Sequence, residues 1–406
     1  MSRIEELIKE FCPDGVEYKK LVDTVTIERG KRVVREQLSP NGKYPVYQNS
    51  LTPLGFHTEY NNIANTTFII VAGAAGEIGY SDVAFWAADD CFTIVCPPSV
   101  INRYIYYALL RAQPQLLSKV RKASIPRLSR IAIENLIIPV PPMPVQREIV
   151  RVLDNFTELT AELTAELTAR KKQYEFYRNE LLSFTAKSEM VELGDVCHFV
   201  RGPFGGALKK EIFQPNGYAV YEQQNAIYQN LRFRYYIDEE KFNELRRFAV
   251  QPGDVIVSCS GTIGKTFVIP ENAPEGIINQ ALLKLTPNSE KINVFYLQFF
   301  FENTISKIMN KVARGGAIKN VPSVSELKAI KLYLPPVEIQ RRIVNVLDNF
   351  DAICSDLNIG LPAEIEARKK QYEYYRDMLL TFAAADDIIL TDRQTDRQTD
   401  RQTDRQ

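Results

Sequence analysis

Histidine is almost missing from this sequence: His57 and His198 are the only two in 406 residues. A histidine-based metal centre is therefore poorly supplied, and each imidazole reads as an ordinary surface or core residue rather than a catalytic base. The cysteines (Cys12, Cys91, Cys96, Cys197, Cys259 and Cys354) are scattered, with no CxxC pair. That spacing argues against a disulfide framework or a zinc site. No apolar run approaches the roughly 18–20 residues that span a bilayer. The N-terminus, MSRIEELIKEF, is charged where a secretory signal would be apolar. The chain reads as cytoplasmic, with no membrane partner.

Catalytic fingerprints are also lacking. No GxSxG elbow, HExxH helix or Gly-rich cofactor fingerprint occurs, and the PP pairs sit in CPPS, VPPM and LPPV rather than in the [DNS]PP[YFW] motif of amino-methyltransferases. CSGTIGKT (259–266) has the end of a phosphate loop but carries Cys259 where the first glycine should wrap the phosphate. A turn after a strand explains its glycines better. PDGVEYK (13–19) holds the letters of a PD…ExK nuclease, but its acids lie too close to each other and to the terminus.

What is present is repetition. VQREIVRVLDNF (145–156) returns as IQRRIVNVLDNF (339–350), identical at 9 of 12 positions, and RKKQYEFYRNELLSF (170–184) returns as RKKQYEYYRDMLLTF (368–382), identical at 11 of 15. Between the first pair of blocks lies TELTAELTAELTA (157–169); between the second lies DAICSDLNIGLPAEIEA, with Gly360 and Pro362 as helix breakers. Weaker echoes precede each block: GEIG (76–79) pairs with GTIG (261–264), and YPVYQN (44–49) with YAVYEQ (218–223). Each half is thus a variable globular unit followed by a similar helix.

Short apolar runs bounded by Gly, Pro and Asn (TTFIIVAG, CFTIVCP, GDVIVSC, ALLKLTP) predict strands. VINRYIYYALLRA and NVFYLQFFFENTISKIMNKV predict helices beside them, so each unit is mixed α/β (α+β). Residues 145–186 predict one long helix, with Ile149, Val152, Leu153, Phe156, Leu159, Leu163 and Leu167 as an apolar stripe continued by Tyr174, Tyr177, Leu181 and Phe184. A similar helix at 338–382 is the expected partner. An antiparallel pair would separate the two units with approximate two-fold symmetry.

Net charge is zero, but it is unevenly placed. Ile101–Ile133 contains seven Lys/Arg and no acid, and Asn303–Ser325 contains Lys307, Lys311, Arg314 and Lys319 and no acid. Residues 21–142 carry a formal charge of +3 and residues 193–336 a charge of +4. Two basic surfaces facing a polyanion fit this pattern, as do two solvated faces.

The duplicated xQRxIVxVLDNF…RKKQYExYRxxLLxF blocks, each after a variable unit, resemble the specificity subunit of type I restriction–modification enzymes. The TAEL copies resemble its subgroup with a central four-residue repeat. The resemblance implies a non-catalytic subunit. It would recognise a bipartite, asymmetric site in double-stranded DNA and direct adenine-N6 methylation or restriction by two modification and two restriction subunits. S-adenosylmethionine, ATP and Mg would be needed by those partners, with no cofactor or metal in this chain.

The implied layout is a first target-recognition domain (1–142), a central spacer helix (143–187), a second target-recognition domain (188–336), a C-terminal spacer helix (337–386) and a disordered tail (387–406). Base reading needs Arg, Lys, Asn, Gln and apolar contacts in the major groove. The candidates are Arg29, Lys31, Arg32, Arg35, Tyr47, Gln48 and Asn49 in the first unit. In the second they are Arg201, Lys209, Lys210, Tyr221, Gln223, Gln224, Asn225, Arg232 and Arg234. Lys119, Arg121, Lys122, Arg127, Arg314 and Lys319 are the candidates for phosphate contact. The competing readings are a stand-alone nuclease or ATPase, and a coiled-coil scaffold without DNA specificity. The tail TDRQTDRQTDRQTDRQ (391–406) has no apolar face. A four-residue repeat is what a four-nucleotide DNA repeat encodes, so the tail predicts a slippage tract and phase variation.

Overall fold

The computed structural model describes residues 3–183, 188–313 and 322–382. It divides into two compact units: residues 1–164 with 364–406, and residues 165–363. Both are mixed α/β and share one topology. In the first unit the strands Thr26–Arg29, Cys91–Val95, Thr66–Ile70 and Ile78–Ser81 form, in that order, an antiparallel four-stranded sheet. Gly55–His57, Tyr44–Tyr47 and Trp86–Ala87 form a three-stranded sheet with one antiparallel and one parallel pairing. In the second unit, Cys197–Arg201, Leu282–Pro287, Val255–Ser258 and Thr266–Val268 repeat the first pattern. Tyr236–Ile237, Tyr218–Tyr221 and Gly276–Ile278 repeat the second. A short ribbon closes each unit: Tyr18–Lys20 pairs with Ile137–Pro139, and Glu189–Glu192 with Lys331–Leu334.

The strands read as continuous apolar runs because both faces of the four-stranded sheet are covered. In Thr66–Ile70, Ile69 packs under helix α1 (Asn102–Ser118) with Tyr104, Ile105 and Ala108, while Phe68 and Ile70 pack with Phe85, Ala87 and Cys91 towards the second sheet. Val255 and Val257 likewise join Tyr296, Leu297 and Phe301 of the corresponding helix, and Ile256 joins Ala219, Tyr221 and Ile278.

Helix α2 (Met143–Leu182) is continuous over 40 residues, and the boundary between the units falls within it. Helix α3 (Val294–Ala313) is the second unit's counterpart of α1. The repeated glutamine explains how each block begins. Gln146 accepts from the Ile101 N–H (2.9 Å) and donates to the carbonyls of Ser99 (3.2 Å) and Pro141 (2.7 Å). Gln340 accepts from the Asn293 N–H (2.7 Å) and donates to Lys291 (3.0 Å) and Pro335 (2.8 Å). Both side chains are buried, so each amide fixes a helix start to the loop before α1 or α3.

Each unit is completed by the later part of a repeated block. In the second unit, Leu182 joins Ile343, Val344 and Leu347, and the rings of Tyr174 and Tyr177 lie 6.2 and 5.8 Å from Phe350. In the first, Leu379 and Leu380 join Val145, Ile149 and Leu153, and Tyr375 stacks on Phe156 at 5.2 Å. Burial pushes the Tyr174 and Tyr372 hydroxyls up to about 12 in the two equivalent positions.

Three expectations change. The C-terminal helix is not single: α4 (Val337–Ser355) ends, and α5 (Leu361–Thr381) begins after a turn in which Asp356 caps the N–H groups of Asn358 (2.6 Å) and Ile359 (3.2 Å). A Cβ on Gly360 would lie 2.5 Å from the Ala352 carbonyl. The apolar stripe of α2 is uneven: Ile149 and Leu153 are buried, whereas Leu159 is 45% exposed and Leu163 and Leu167 are half-buried. Finally, GTIG (261–264) corresponds to GAAG (73–76), three residues before GEIG. Gly76 and Gly264 both have positive φ (+92° and +77°). Their N–H groups donate to the equivalent carbonyls of Ile70 and Ser258. A Cβ would meet Leu117 or Ile305 of the facing helix at 2.9 or 2.6 Å. Close helix approach, rather than the letter pattern, sets the equivalence. Phe184 and the tail lie outside the described residues.

Candidate nucleic-acid interface

Several polar candidates of each unit lie at one end of its four-stranded sheet. In the first unit this end holds the last residue of Thr26–Arg29, the turn between Thr66–Ile70 and Ile78–Ser81, and the start of Cys91–Val95. Arg29 donates from Nε to the Asp89 carbonyl (2.9 Å), and Lys31 N–H donates to Ala87 (2.9 Å). Asn49 receives the Ala74 N–H (2.9 Å), and Gly73 N–H donates to Pro126 (3.1 Å). Gly73 has a φ of +83°, and a Cβ there would sit 2.8 Å from the Asn49 oxygen. These contacts bring Asn49 beside the loop 121–127, which Arg121 and Arg127 close by mutual backbone hydrogen bonds (2.9 and 3.2 Å). Arg29, Lys31, Arg32, Arg35, Asn49, Lys119, Arg121, Lys122 and Arg127 are all exposed, and Gln48 is half-buried.

Tyr47 does not join this surface. Its ring packs 4.5 Å from Phe68 and 5.6 Å from Phe85, because the strand that carries it turns that face into the second core layer.

In the second unit the same end carries Arg201, the segment after Tyr218–Tyr221, and the turn 259–265. Gln223 donates to the Ser260 hydroxyl (2.6 Å), which ties the polar segment to the turn. Arg201, Lys209, Lys210 and Arg232 are exposed, and Gln223 and Gln224 are half-buried. Two candidates are structural. Tyr221 is fully buried, its hydroxyl donating to Pro274 (2.7 Å). Asn225 is fully buried and donates to the carbonyls of Asn230 and Arg232, both at 2.9 Å. Arg234 is exposed and pairs two-pronged with Glu222 (2.9 Å each). Arg314 and Lys319 lie outside the described residues.

Sequence reading missed Ser260 of the turn 259–265, whose hydroxyl accepts from Gln223; Gly261 and Gly264 within that turn were the available signal. It also missed Phe204, 96% exposed in a loop that follows Arg201.

CSGTIGKT forms a hairpin turn between two strands, not the strand-to-helix turn of a phosphate loop. The Thr266 hydroxyl that would serve a metal there donates to Glu302 (2.6 Å). His57 is buried against Trp86 (4.5 Å) and accepts from the Glu59 N–H (2.9 Å); His198 is exposed. In PDGVEYK, Glu17 pairs with Lys19 (2.8 Å).

The chain has relatives among known proteins. Residues 13–170 and 186–367 each match the type I restriction modification DNA specificity domain. The chain belongs to the type I restriction–modification specificity-subunit family. It is a DNA-recognition subunit of such systems rather than a catalytic one. A Haemophilus influenzae protein described as a type I restriction enzyme specificity subunit is 31% identical over 390 residues, covering 91% of this chain and 96% of the relative. The EcoR124I/EcoR124II specificity subunit of Escherichia coli is 33% identical, covering 70% and 72%. Among solved structures, a type I restriction–modification S subunit from M. genitalium has a TM-score of 0.57 at 16% identity, covering 90% and 96%. A chain from a study of type I complex assembly reaches 0.61 at 16%, covering 91% and 98%. At that identity these two likenesses concern the fold: two recognition domains with a helical spacer.

Proposed function

We propose that this specificity subunit reads a bipartite, asymmetric site in double-stranded DNA, one half-site per unit, and that α2 sets the unread gap. The observation that carries the reading is the recurrence, at the same sheet end of two unlike units, of exposed basic and amide side chains on a shared backbone frame. Phosphate contacts at Lys119, Arg121, Lys122 and Arg127 supply affinity, with Arg314 and Lys319 as their counterparts. Base reading falls to Arg29, Lys31, Arg32, Arg35, Gln48 and Asn49 in the first unit and to Arg201, Lys209, Lys210, Gln223, Gln224, Arg232 and Arg234 in the second.

The functional layout is recognition domains at 1–142 and 188–336, with spacer helices at 143–187 and 337–386. The partners are two modification subunits, which use S-adenosylmethionine, and two restriction subunits, which use ATP and Mg, all in the cytoplasm. Among the described residues no helix is long and apolar enough to cross a membrane. The 387–406 tail is a slippage tract. A gene segment without a four-base period there would refute that part.

The TAEL run suits a ruler. Thr160 donates to the Phe156 carbonyl (2.8 Å) and Thr164 to that of Thr160 (2.7 Å), so each unit satisfies its hydroxyl on the unit before. A copy can be added or removed without orphaning a polar group. Each copy adds about 6 Å of helix, on the scale of one to two base-pair steps.

Co-expression with cognate modification and restriction subunits, followed by genome-wide mapping of N6-methyladenine, tests the function. A split motif that depends on this chain is expected. Methylation without a split motif, or independent of the chain, would refute it.

A further inference from the structure

Both units place an Arg-Gly pair at the end of the first strand of the four-stranded sheet: Arg29-Gly30 and Arg201-Gly202. The two glycines are equivalent. Gly30 N–H donates to Cys91 and Gly202 N–H to Leu282, both at 3.0 Å. A Cβ on either would strike backbone, 2.1 Å from the Ala88 oxygen or 1.8 Å from that of Asn279. The chain is therefore pinned where it leaves the sheet.

Beyond each glycine the same device follows. A buried anchor, Val33 or Pro203, is succeeded by an outward apolar residue in extended conformation, Val34 or Phe204. A 3-10 turn comes next, Arg35–Gln37 or Gly205–Ala207. Val34 is 43% exposed and Phe204 is 96% exposed, the most open large apolar side chain among the described residues. Among the described residues neither joins a hydrophobic core. Exposed basic residues share or flank both loops: Arg29, Lys31, Arg32 and Arg35 in the first, Arg201, Lys209 and Lys210 in the second. The loop RGPFGGALKK (201–210) has no acid.

An apolar side chain held out from a pinned, cationic loop suits a polyanion whose interior is a stack of flat apolar rings. We propose that Phe204 is a stacking wedge: its ring enters a base step of the second unit's half-site, partly unstacks it, and so positions that unit on the DNA. Val34 makes the lesser, aliphatic version of the contact in the first unit. Insertion of apolar side chains between base steps and stacking of bases on aromatic rings are both established modes of holding nucleic acid. Phe204 is a positioning and specificity residue, because the step it opens is favoured where stacking is weak, as at pyrimidine–purine steps. The inference rests on the reading of the second unit as a DNA-recognition domain.

The test uses the full chain in complex with its modification subunits, on duplexes bearing the mapped site. 2-Aminopurine is placed in turn at each purine of the second half-site other than the methylated adenines. The native complex should raise fluorescence at one step. Phe204→Ala should abolish that rise and weaken binding about ten-fold or more, while Phe204→Trp should retain both. Because Phe204 touches no core, the Ala variant should unfold at the native temperature. Unchanged fluorescence and affinity in Phe204→Ala would overturn the inference alone, leaving the function intact. So would loss of the modification subunits from the variant complex, which would make Phe204 a protein contact. A native complex that binds no split site would overturn the proposed function and this inference with it.

Discussion

Gln146 and Gln340 show how a single amide can found an element. Each is buried and fully used, accepting one N–H and donating to two carbonyls that the preceding loop cannot pair otherwise. Gln146→Ala should destabilise the first unit, and Gln340→Ala the second, by about 2 kcal/mol each, read by denaturant unfolding, because buried polar groups lose partners that water does not replace. A buried pair distinguishes the two sheets. Lys284 reaches Asp254 (3.6 Å), whose other oxygen receives the Thr286 hydroxyl (2.5 Å), at positions where the first unit has Thr93 and Thr66. Lys284→Met should cost about 3–5 kcal/mol by leaving a buried carboxylate unpaired, and Asp254→Thr with Lys284→Thr should recover most of it. On the surface, Lys122→Ala should lower the slope of log affinity against log salt by about 0.9 without altering the bases read. A changed recognition sequence would show that Lys122 reads bases.

At the scale of elements, α2 couples a fixed beginning to a fixed end. Ile149 and Leu153 are committed to the first unit's core and Leu182 to the second's, with the half-exposed TAEL run between. Removing one residue turns everything beyond it by about 100°, whereas removing four turns it by about 40°. Deletion of Ala161 alone should therefore abolish methylation of the split site, while deletion of a whole TAEL unit should not. Equal loss from both deletions would contradict a modular helix.

Much of this scale was legible in the sequence. The duplicated blocks, the strands TTFIIVAG and GDVIVSC, and the helix beside each rest on local periodicity and stand where expected. What periodicity could not show was which face of a doubly covered strand meets which layer. In YPVY and YAVY every position is apolar or amphipathic, so nothing local marks Tyr47 and Tyr221 as core residues rather than readers. Asn225 looked like a base reader because its role, capping carbonyls at 230 and 232, depends on a loop that closes back upon it. The glycine equivalence failed for a similar reason: it is set by the approach of Leu117 and Ile305, which lie some forty residues away in the chain. The break at Gly360 and Pro362 was visible in composition. That the chain would use it to end one helix and start another depends on the Asp356 turn.

For the whole molecule, duplication supplies the logic. Two units with one topology and different loops would present two different readers on one frame, joined by helical blocks that are nearly the same twice. On the proposed function, an asymmetric split site would follow from unlike loops, and its gap from the length between repeated blocks. The most direct measurement is N6-methyladenine mapping in cells that carry cognate modification subunits with either the native chain or one lacking a single TAEL unit. The same two half-site sequences in both maps, with a gap shorter by one or two base pairs in the deleted form, is the predicted result. Altered half-site bases at an unchanged gap would contradict it.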